Sequence, residues 1–242
     1  MLLELCQGGE LFSRLLAENI LDEGSCAFYA GNMLLGLQAL HNHSAVYRDR
    51  KPENILITTS GHTKLADLGF AKKIDGKTFT RCGTPEYVSP ETLSHKGHGL
   101  ATDLWSLGVF VYECLQGTTT FAAKNYRSTY KKIMSYKVHE RIRWFSDVSD
   151  EAANLIGQLL KPKAKNRPPI EQLKAHPWFA TRIDWAGLQA REVEPPFVPH
   201  VQDSTDPSLV EPQPEGEGSG IPEEALRGRV GVVQGYLLIS LD

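Results

Sequence analysis

The chain has 242 residues, 41% of them hydrophobic, enough to bury the core of one large domain or two small ones. A formal net charge of -3 and a pI near 6.3 give no basis for binding nucleic acid. No apolar run approaches the ~20 residues of a membrane helix, MLLELCQGGE lacks the basic stretch of a signal peptide, and the scattered Cys6, Cys26, Cys82 and Cys114 fit no metal-binding spacing. Free thiols in a reducing compartment follow, so an intracellular, cytoplasmic protein that touches no membrane is expected.

In chain order, Glu10–Glu18 reads as a helix. Ser25–His43 reads as a second, with Cys26, Ala30, Met33, Leu37 and Leu40 recurring at three- and four-residue steps behind an Asp22 cap. NILITTSGHTKLADLG predicts two brief strands about a turn at Ser60 and Gly61. From Ala101 the pattern turns helical again: LWSLGVFVYECL predicts a core helix, and Ala152–Leu160 and Ile170–Ala175 predict amphipathic ones. Proline becomes frequent after Trp185, and EPQPEGEGSG has too little apolar surface to offset its ordering entropy, which predicts disorder. The expected fold class is α+β, mostly helical with short strands, followed by a largely disordered tail. There is no internal repeat.

The stretch AVYRDRKPENILI crowds Arg48, Asp49, Arg50, Lys51 and Asn54 just ahead of a buried strand. Singly, each reads as a surface charge or a loop cap, since roughly 25% of ordinary residues are charged. The order of the whole set says more: YRD-x-K-x-x-N, then D-x-G at Asp67, then CGTPEYVSPE, then DLWSLG with Asp103. Together these resemble the lower lobe (C-lobe) of a eukaryotic protein serine/threonine kinase. GGELF, LGFAKKI, HPWF and DWAGLQAREVEPPFVP are similar to the cyclic-nucleotide-dependent and related basophilic group, and HKGHGLATDLWSLG with IDWAGL leans to its cGMP-dependent branch. The resemblance covers about Met1 to Asp206.

What the resemblance implies is transfer of the ATP γ-phosphate with Mg²⁺, a reaction in which positioning and electrostatics supply nearly all the catalysis. Asp49 would orient the substrate hydroxyl and accept its proton, and Lys51 would lie along the γ-phosphate as charge develops. Asn54 and Asp67 would supply the hard oxygen ligands that Mg²⁺ takes. Glu4, Cys6, Glu10 and Leu56, with Lys51, would line the nucleotide site. Lys51, two places after Asp49, together with Thr84 in GTPEY, is the serine/threonine pattern. Thr80 sits where an activating kinase phosphorylates such enzymes, and its phosphate would meet Arg48 and Lys72. Glu10, Glu53, Glu86 and Glu113 fall where the group reads arginines in basic Ser/Thr protein substrates, a task suited to carboxylates; Glu86 and Glu113 alone read equally well as solvated charges. Glu91 and Arg167 are expected as an architectural ion pair, and Asp103 as a brace for the loop backbone.

Residues 1–180 are thus expected to form the kinase C-lobe from the hinge onward, 181–210 its C-terminal tail extension, and 211–242 a low-complexity acidic Pro/Gly segment with an unassigned apolar end. That end, RVGVVQGYLLISLD, reads as a strand, an interaction segment or a frame extension. The sequence holds no Gly-rich phosphate loop, strand lysine or partner glutamate of a β-rich N-lobe, and little turnover is expected of these residues alone. Leu68 replaces the usual phenylalanine, a tolerable apolar swap; Arg50 replaces leucine and needs solvent or a carboxylate. Three readings stay open: a kinase whose sequence here lacks the N-lobe, a catalytically inactive C-lobe module binding peptides or a partner kinase, and a scaffold fragment. Retention of Asp49, Lys51, Asn54 and Asp67 together favours the first. A lone C-lobe would expose an apolar floor around Leu3, Leu5 and Leu56 as a docking face or an aggregation liability.

Overall fold

The structure, a computed structural model, describes residues 6–49, 51–136 and 142–200. The expectations for Leu3, Glu4, Leu5 and Arg50, and those for residues 201–242, lie outside the described residues. The first helices are α1 (Leu11–Glu18) and α2 (Glu23–Asn42). Asp22 starts α2 as expected: its Oδ1 accepts from the backbone amides of Gly24 at 2.8 Å and Ser25 at 3.0 Å. With Glu23 in the first turn to complement the helix dipole, α2 begins two residues ahead of the expected Ser25.

Among the described residues four short strands follow, β1 (Ala45–Val46), β2 (Ile55–Ile57), β3 (Thr63–Leu65) and β4 (Lys72–Lys73). They make two antiparallel ladders, β1 with β4 and β2 with β3, the latter pairing Ile55 with Leu65 and Ile57 with Thr63. The predicted strand pair about Ser60 and Gly61 is therefore present. The chain entering α1 is pinned to β2, because Gly8 N donates to Ile57 O at 3.0 Å and Ile57 N donates to Gly9 O at 2.9 Å.

The remaining helices are α3 (Pro90–Leu93), α4 (Ala101–Gln116), α5 (Tyr126–Ser135), α6 (Asp150–Leu159), α7 (Ile170–Lys174), α8 (Pro177–Ala180) and α9 (Trp185–Ala190). α2 is buried on nearly every side, and α4, β1, β3, α8 and α9 enclose it. α4, the expected core helix, is buried along almost its whole length and packs against α2 and α6. Gly108 sets the α4–α6 approach, since a Cβ there would stand 2.8 Å from Leu159 Cβ and 3.0 Å from Leu160 Cδ2. Gly108→Val forces the helices apart and is expected to destabilise by about 1–3 kcal/mol, read as a lower urea midpoint at unchanged m-value.

Order continues past Trp185, where the prolines suggested a loose tail. Asp184 caps α9 through Ala186 N at 3.1 Å, and the following residues lie over the β2–β3 turn. Gly61 has φ +83° and a Cβ on it would stand 2.3 Å from Phe197 O, so this turn needs a glycine. The Arg14 guanidinium sits 3.9 Å from the centre of the Phe197 ring. All four cysteines are free thiols, as expected. Among the described residues no helix is long and apolar enough to cross a membrane.

Candidate active site

The loop from Tyr47 to Asn54 joins β1 to β2 and is held from below by Asp103, a fully buried carboxylate in the first turn of α4. Asp103 Oδ2 accepts from Tyr47 N at 3.1 Å and Oδ1 from Arg48 N at 3.3 Å, while His41 Nε2 lies 2.7 Å from Oδ2. This brace, foreseen for Asp103, supports Arg48 at φ +75°, a left-handed conformation costly for a residue with a Cβ. Tyr47 adds a second tie, its hydroxyl donating to Ala66 O.

Above that brace sits Asp49, only 5% exposed. Asn54 Nδ2 donates to Asp49 O at 2.8 Å and to its Oδ2 at 3.0 Å. The other carboxylate oxygen, Oδ1, accepts from both Thr84 N and Thr84 Oγ1 at 3.2 Å. Each oxygen of Asp49 is thus oriented by a different element, the turn Pro52–Asn54 and the segment leading into Pro85–Tyr87. Asn54 O accepts from Ala66 N at 2.8 Å, which ties the residue before Asp67 to the same loop. Asp67 has φ +51° and ψ +74°, and its Oδ1 accepts from Gly69 N at 3.0 Å to open the turn Leu68–Phe70. The structure therefore brings Asp49, Asn54 and Thr84 into contact, joins Asp67 to them through the backbone, and leaves Lys51 half-buried at the start of the turn. Leu68 is buried, as an apolar stand-in should be.

Cys6 is buried, and Glu10 and Leu56 face one another across an isolated antiparallel bridge. Glu53, Glu86 and Glu113 form one acidic patch. Burial above all, then the charges of Glu53 and Glu86, push the Glu113 carboxyl up to about 8. The Tyr87 hydroxyl donates to Glu113 and the Thr119 hydroxyl to Glu86, which orients both carboxylates. Glu10 belongs to the β2 side and is not among the charges acting on Glu113.

Thr80 is exposed on the segment after β4. Lys72 Nζ donates to Thr78 Oγ1 at 3.3 Å and Arg48 Nε donates to Phe70 O at 2.7 Å. Both cations lie near Cys82, whose thiol burial pushes up against their pull. The expected Glu91–Arg167 pair is formed, at 2.6 and 2.9 Å. Sequence reasoning missed His98, 2% exposed beneath this segment, and the buried hydroxyls of Ser89, Thr92, Thr102 and Ser106 beside it. Thr102 and Ser106 carry a sequence signal, being polar residues where the apolar face of α4 should continue.

Residues 1–179 match the protein kinase domain family. Over 218 residues, 88% of this chain and 44% of the relative, the sequence is 42% identical to protein kinase 2 of Dictyostelium discoideum. It is 38% identical over 222 residues to the human cAMP-dependent protein kinase catalytic subunit PRKX, covering 90% of this chain and 61% of the relative. Against the cGMP-dependent protein kinase, isozyme 2 forms cD5/T2, of Drosophila melanogaster it is 38% identical over 226 residues, 89% of this chain and 24% of the relative. The chain thus spans between about a quarter and three fifths of the length of these relatives. The cAMP- and cGMP-dependent relatives stand at equal identity.

Proposed function

Because the chain belongs to the protein kinase domain family, we propose that residues 1–180 carry the phosphoryl-transfer floor of a serine/threonine kinase acting on basic protein substrates, with residues 181–210 as its tail. The observation that carries this reading is Asp49, buried and held on one side by Asn54 and on the other by Thr84. Asp49 takes the proton of a substrate hydroxyl placed within hydrogen-bond reach. Lys51 offsets the charge that grows on the transferred group.

The donor set fits Mg²⁺, which the family generally uses with ATP. Asn54 commits its Nδ2 to Asp49, so its carbonyl oxygen is the atom left for a cation, and Asp67 commits only Oδ1 to Gly69. Two hard oxygens are what Mg²⁺ takes alongside phosphate oxygens and water. Bound there, Mg²⁺ would neutralise charge on the nucleotide phosphates. Cys6, Glu10 and Leu56 stand where the nucleotide's other end would lie. Thr80, exposed and close in sequence to Lys72, is the site for an activating kinase, and its phosphate meets Arg48 and Lys72.

Substrate choice rests with Glu53, Glu86 and Glu113, an acidic patch ready for guanidinium groups. Turnover also needs a phosphate-covering loop and strand lysine, which these 242 residues do not carry, so the test uses a form of the enzyme that has both. An Arg-rich Ser/Thr peptide should surpass an acidic one by about tenfold or more in kcat/KM, and equal turnover would overturn the assignment of the three glutamates. The sign of the pH effect follows from Glu113: below about 8 its carboxyl is neutral and above it is an anion. KM for the Arg-rich peptide therefore falls as pH rises from about 6.5 to about 8.5, and Glu113→Gln flattens that dependence.

A further inference from the structure

Past α9 the chain runs as a strap over the β2–β3 turn and the residues entering α1. Exposure alternates along it: Val193, Pro195, Phe197 and Pro199 are half-buried, and the residues between them are exposed. That is the period of an extended segment with one face inward. The inward face is closely seated. Val193 lies against Gly187, Pro195 and the Phe197 carbonyl lie against Gly61, and a Cβ on Gly8 would stand 2.7 Å from Pro199 Cγ. Past Glu192, whose amide donates to Gly187 O at 2.8 Å, the strap makes no backbone hydrogen bond to another described residue, so packing holds it.

His62 stands under the start of this strap. It follows Gly61 in the β2–β3 turn and is 6% exposed. Its carbonyl accepts from Thr58 N at 2.8 Å and from Thr58 Oγ1 at 3.0 Å, which fixes its backbone, and its ring centre lies 5.7 Å from that of Phe28 on α2. The ring also bonds the backbone of Arg191, the residue that ends α9. That bond favours the protonated ring, so the ring nitrogen donates and the Arg191 carbonyl accepts. Nδ1 is buried and no group among the described residues meets it, so Nε2 makes the bond.

A second proton on this ring has no acceptor. Placed on Nδ1 it would be a buried donor left unpaired, in a ring that carries a charge out of water. Burial first, and then the charge of Arg191, hold the ring's proton affinity below the ordinary histidine range, against the smaller pull of the Arg191 carbonyl. The carboxylates next along the strap, Glu192 and Glu194, are not among the charges acting on it. Phe28 from α2 and Thr58 from the turn bring none. Once the strap lifts, water reaches Nδ1 and the proton is accommodated.

We propose that His62 is an acid-sensitive clasp for residues 191–200: the neutral ring holds the strap down at Arg191, and protonation at Nδ1 releases it from the β2–β3 turn and from Gly8. Above about 6.5, the ordinary histidine value, the ring is neutral with the strap seated or lifted, and docking is indifferent to pH. Below it the lifted form binds a proton that the seated form refuses. Docking then weakens by up to about tenfold per pH unit, until the seated ring itself titrates. The strap closes over the joint where Gly8 N donates to Ile57 O, so its release frees the chain entering α1. Nothing in the clasp depends on phosphoryl transfer.

The test places 4-fluorophenylalanine at position 197 of the whole chain by genetic encoding and follows it by ¹⁹F NMR from about pH 7.5 to about pH 5.5, with the imidazole ¹⁵N signals recorded beside it. Seated and lifted straps give this ring different surroundings, because its centre lies 3.9 Å from the Arg14 guanidinium when seated. The lifted-to-seated ratio is expected to rise by up to about tenfold across that range, with His62 titrating below the ordinary histidine value. His62→Gln keeps a donor for the Arg191 carbonyl and cannot titrate, so its ratio should stay flat. An acid rise that survives His62→Gln, or that His200→Gln removes instead, would overturn the proposal. So would a ¹⁹F signal indifferent to pH, or a His62 titration at or above the ordinary value, and neither result needs a variant at 62 to fold. Both spectra are read without turnover, so loss of the kinase reading and loss of this one are distinguishable.

Discussion

Asp49→Asn is expected to lower kcat on an Arg-rich peptide by about 10²–10⁴-fold, the usual contribution of a positioned general base. KM should move little, because the peptide arginines are proposed to be held by Glu53, Glu86 and Glu113 and not by Asp49. The substitution is nearly isosteric, yet it is not innocent locally. Asp49 Oδ2 accepts from Asn54 Nδ2 and Oδ1 from Thr84, so an amide must turn its NH₂ toward one of two donors. Facing Asn54, it opposes donor to donor at a site that is 5% exposed, at about 1–3 kcal/mol of stability. A thermal melt beside the kinetics separates the two effects. Thr84→Val is the control: it removes the Oγ1 bond and keeps the Thr84 N–H, so its loss in kcat should be much the smaller. A kcat for Asp49→Asn within tenfold of the parent would remove Asp49 from the proton-transfer role.

The elements legible in the sequence were those whose signal is local. Asp22 is legible as a cap because a carboxylate before an apolar three- and four-residue rhythm has little else to do, and the backbone amides of Gly24 and Ser25 do meet it. The β2–β3 pair was legible from its turn, and α4 from an apolar run too short for a membrane. α5 escaped because its apolar stripe, Tyr126, Tyr130, Ile133 and Met134, is short and set among polar and charged residues. α9 escaped because the prolines after it suggested a tail, whereas its order comes from the Asp184 cap and from contact with α2, which no local pattern announces. In the site, the order of motifs pointed to Asp49, Asn54 and Asp67, but not to the exchange of bonds that makes Asn54 and Thr84 co-orient one carboxylate. Glu53, Glu86 and Glu113 are candidates one by one in the sequence; that the charges of Glu53 and Glu86 add to burial in raising the Glu113 carboxyl is a fact of three dimensions. His98 lay hidden for a related reason. A histidine between two glycines in HKGHGL looks like a surface turn residue, and the pairing of Thr78 with His98 carries it inside.

Arg167→Ala is expected to cost about 3–5 kcal/mol of folding stability, the penalty for leaving one member of a buried ion pair alone. For a domain of this size that is a fall of about 6–20 °C in Tm. The Arg167 side chain is fully buried and the Glu91 side chain 14% exposed. Nη1 donates to Glu91 Oε1 at 2.6 Å and to Ala101 O at 2.7 Å, Nη2 to Glu91 Oε2 at 2.9 Å, and Nε to Lys161 O at 2.9 Å. One guanidinium thus ties α3, the start of α4 and the loop after α6, with the Trp105 ring 5.2 Å from its centre. Alanine removes every one of these bonds and strands the Glu91 carboxylate. Lysine keeps the charge but cannot reproduce the planar fork, so Arg167→Lys should recover only part of the loss. Glu91→Gln, which leaves a hydrogen-bond acceptor for one arm of the fork, should cost less than Arg167→Ala. The double substitution Glu91→Leu with Arg167→Met should cost less than the two single losses added, because the stranded charge and not the missing attraction is the larger penalty. Additivity would mean that the pair acts as two independent anchors, and the stability of the Asp49 loop would then owe more to Asp103 alone.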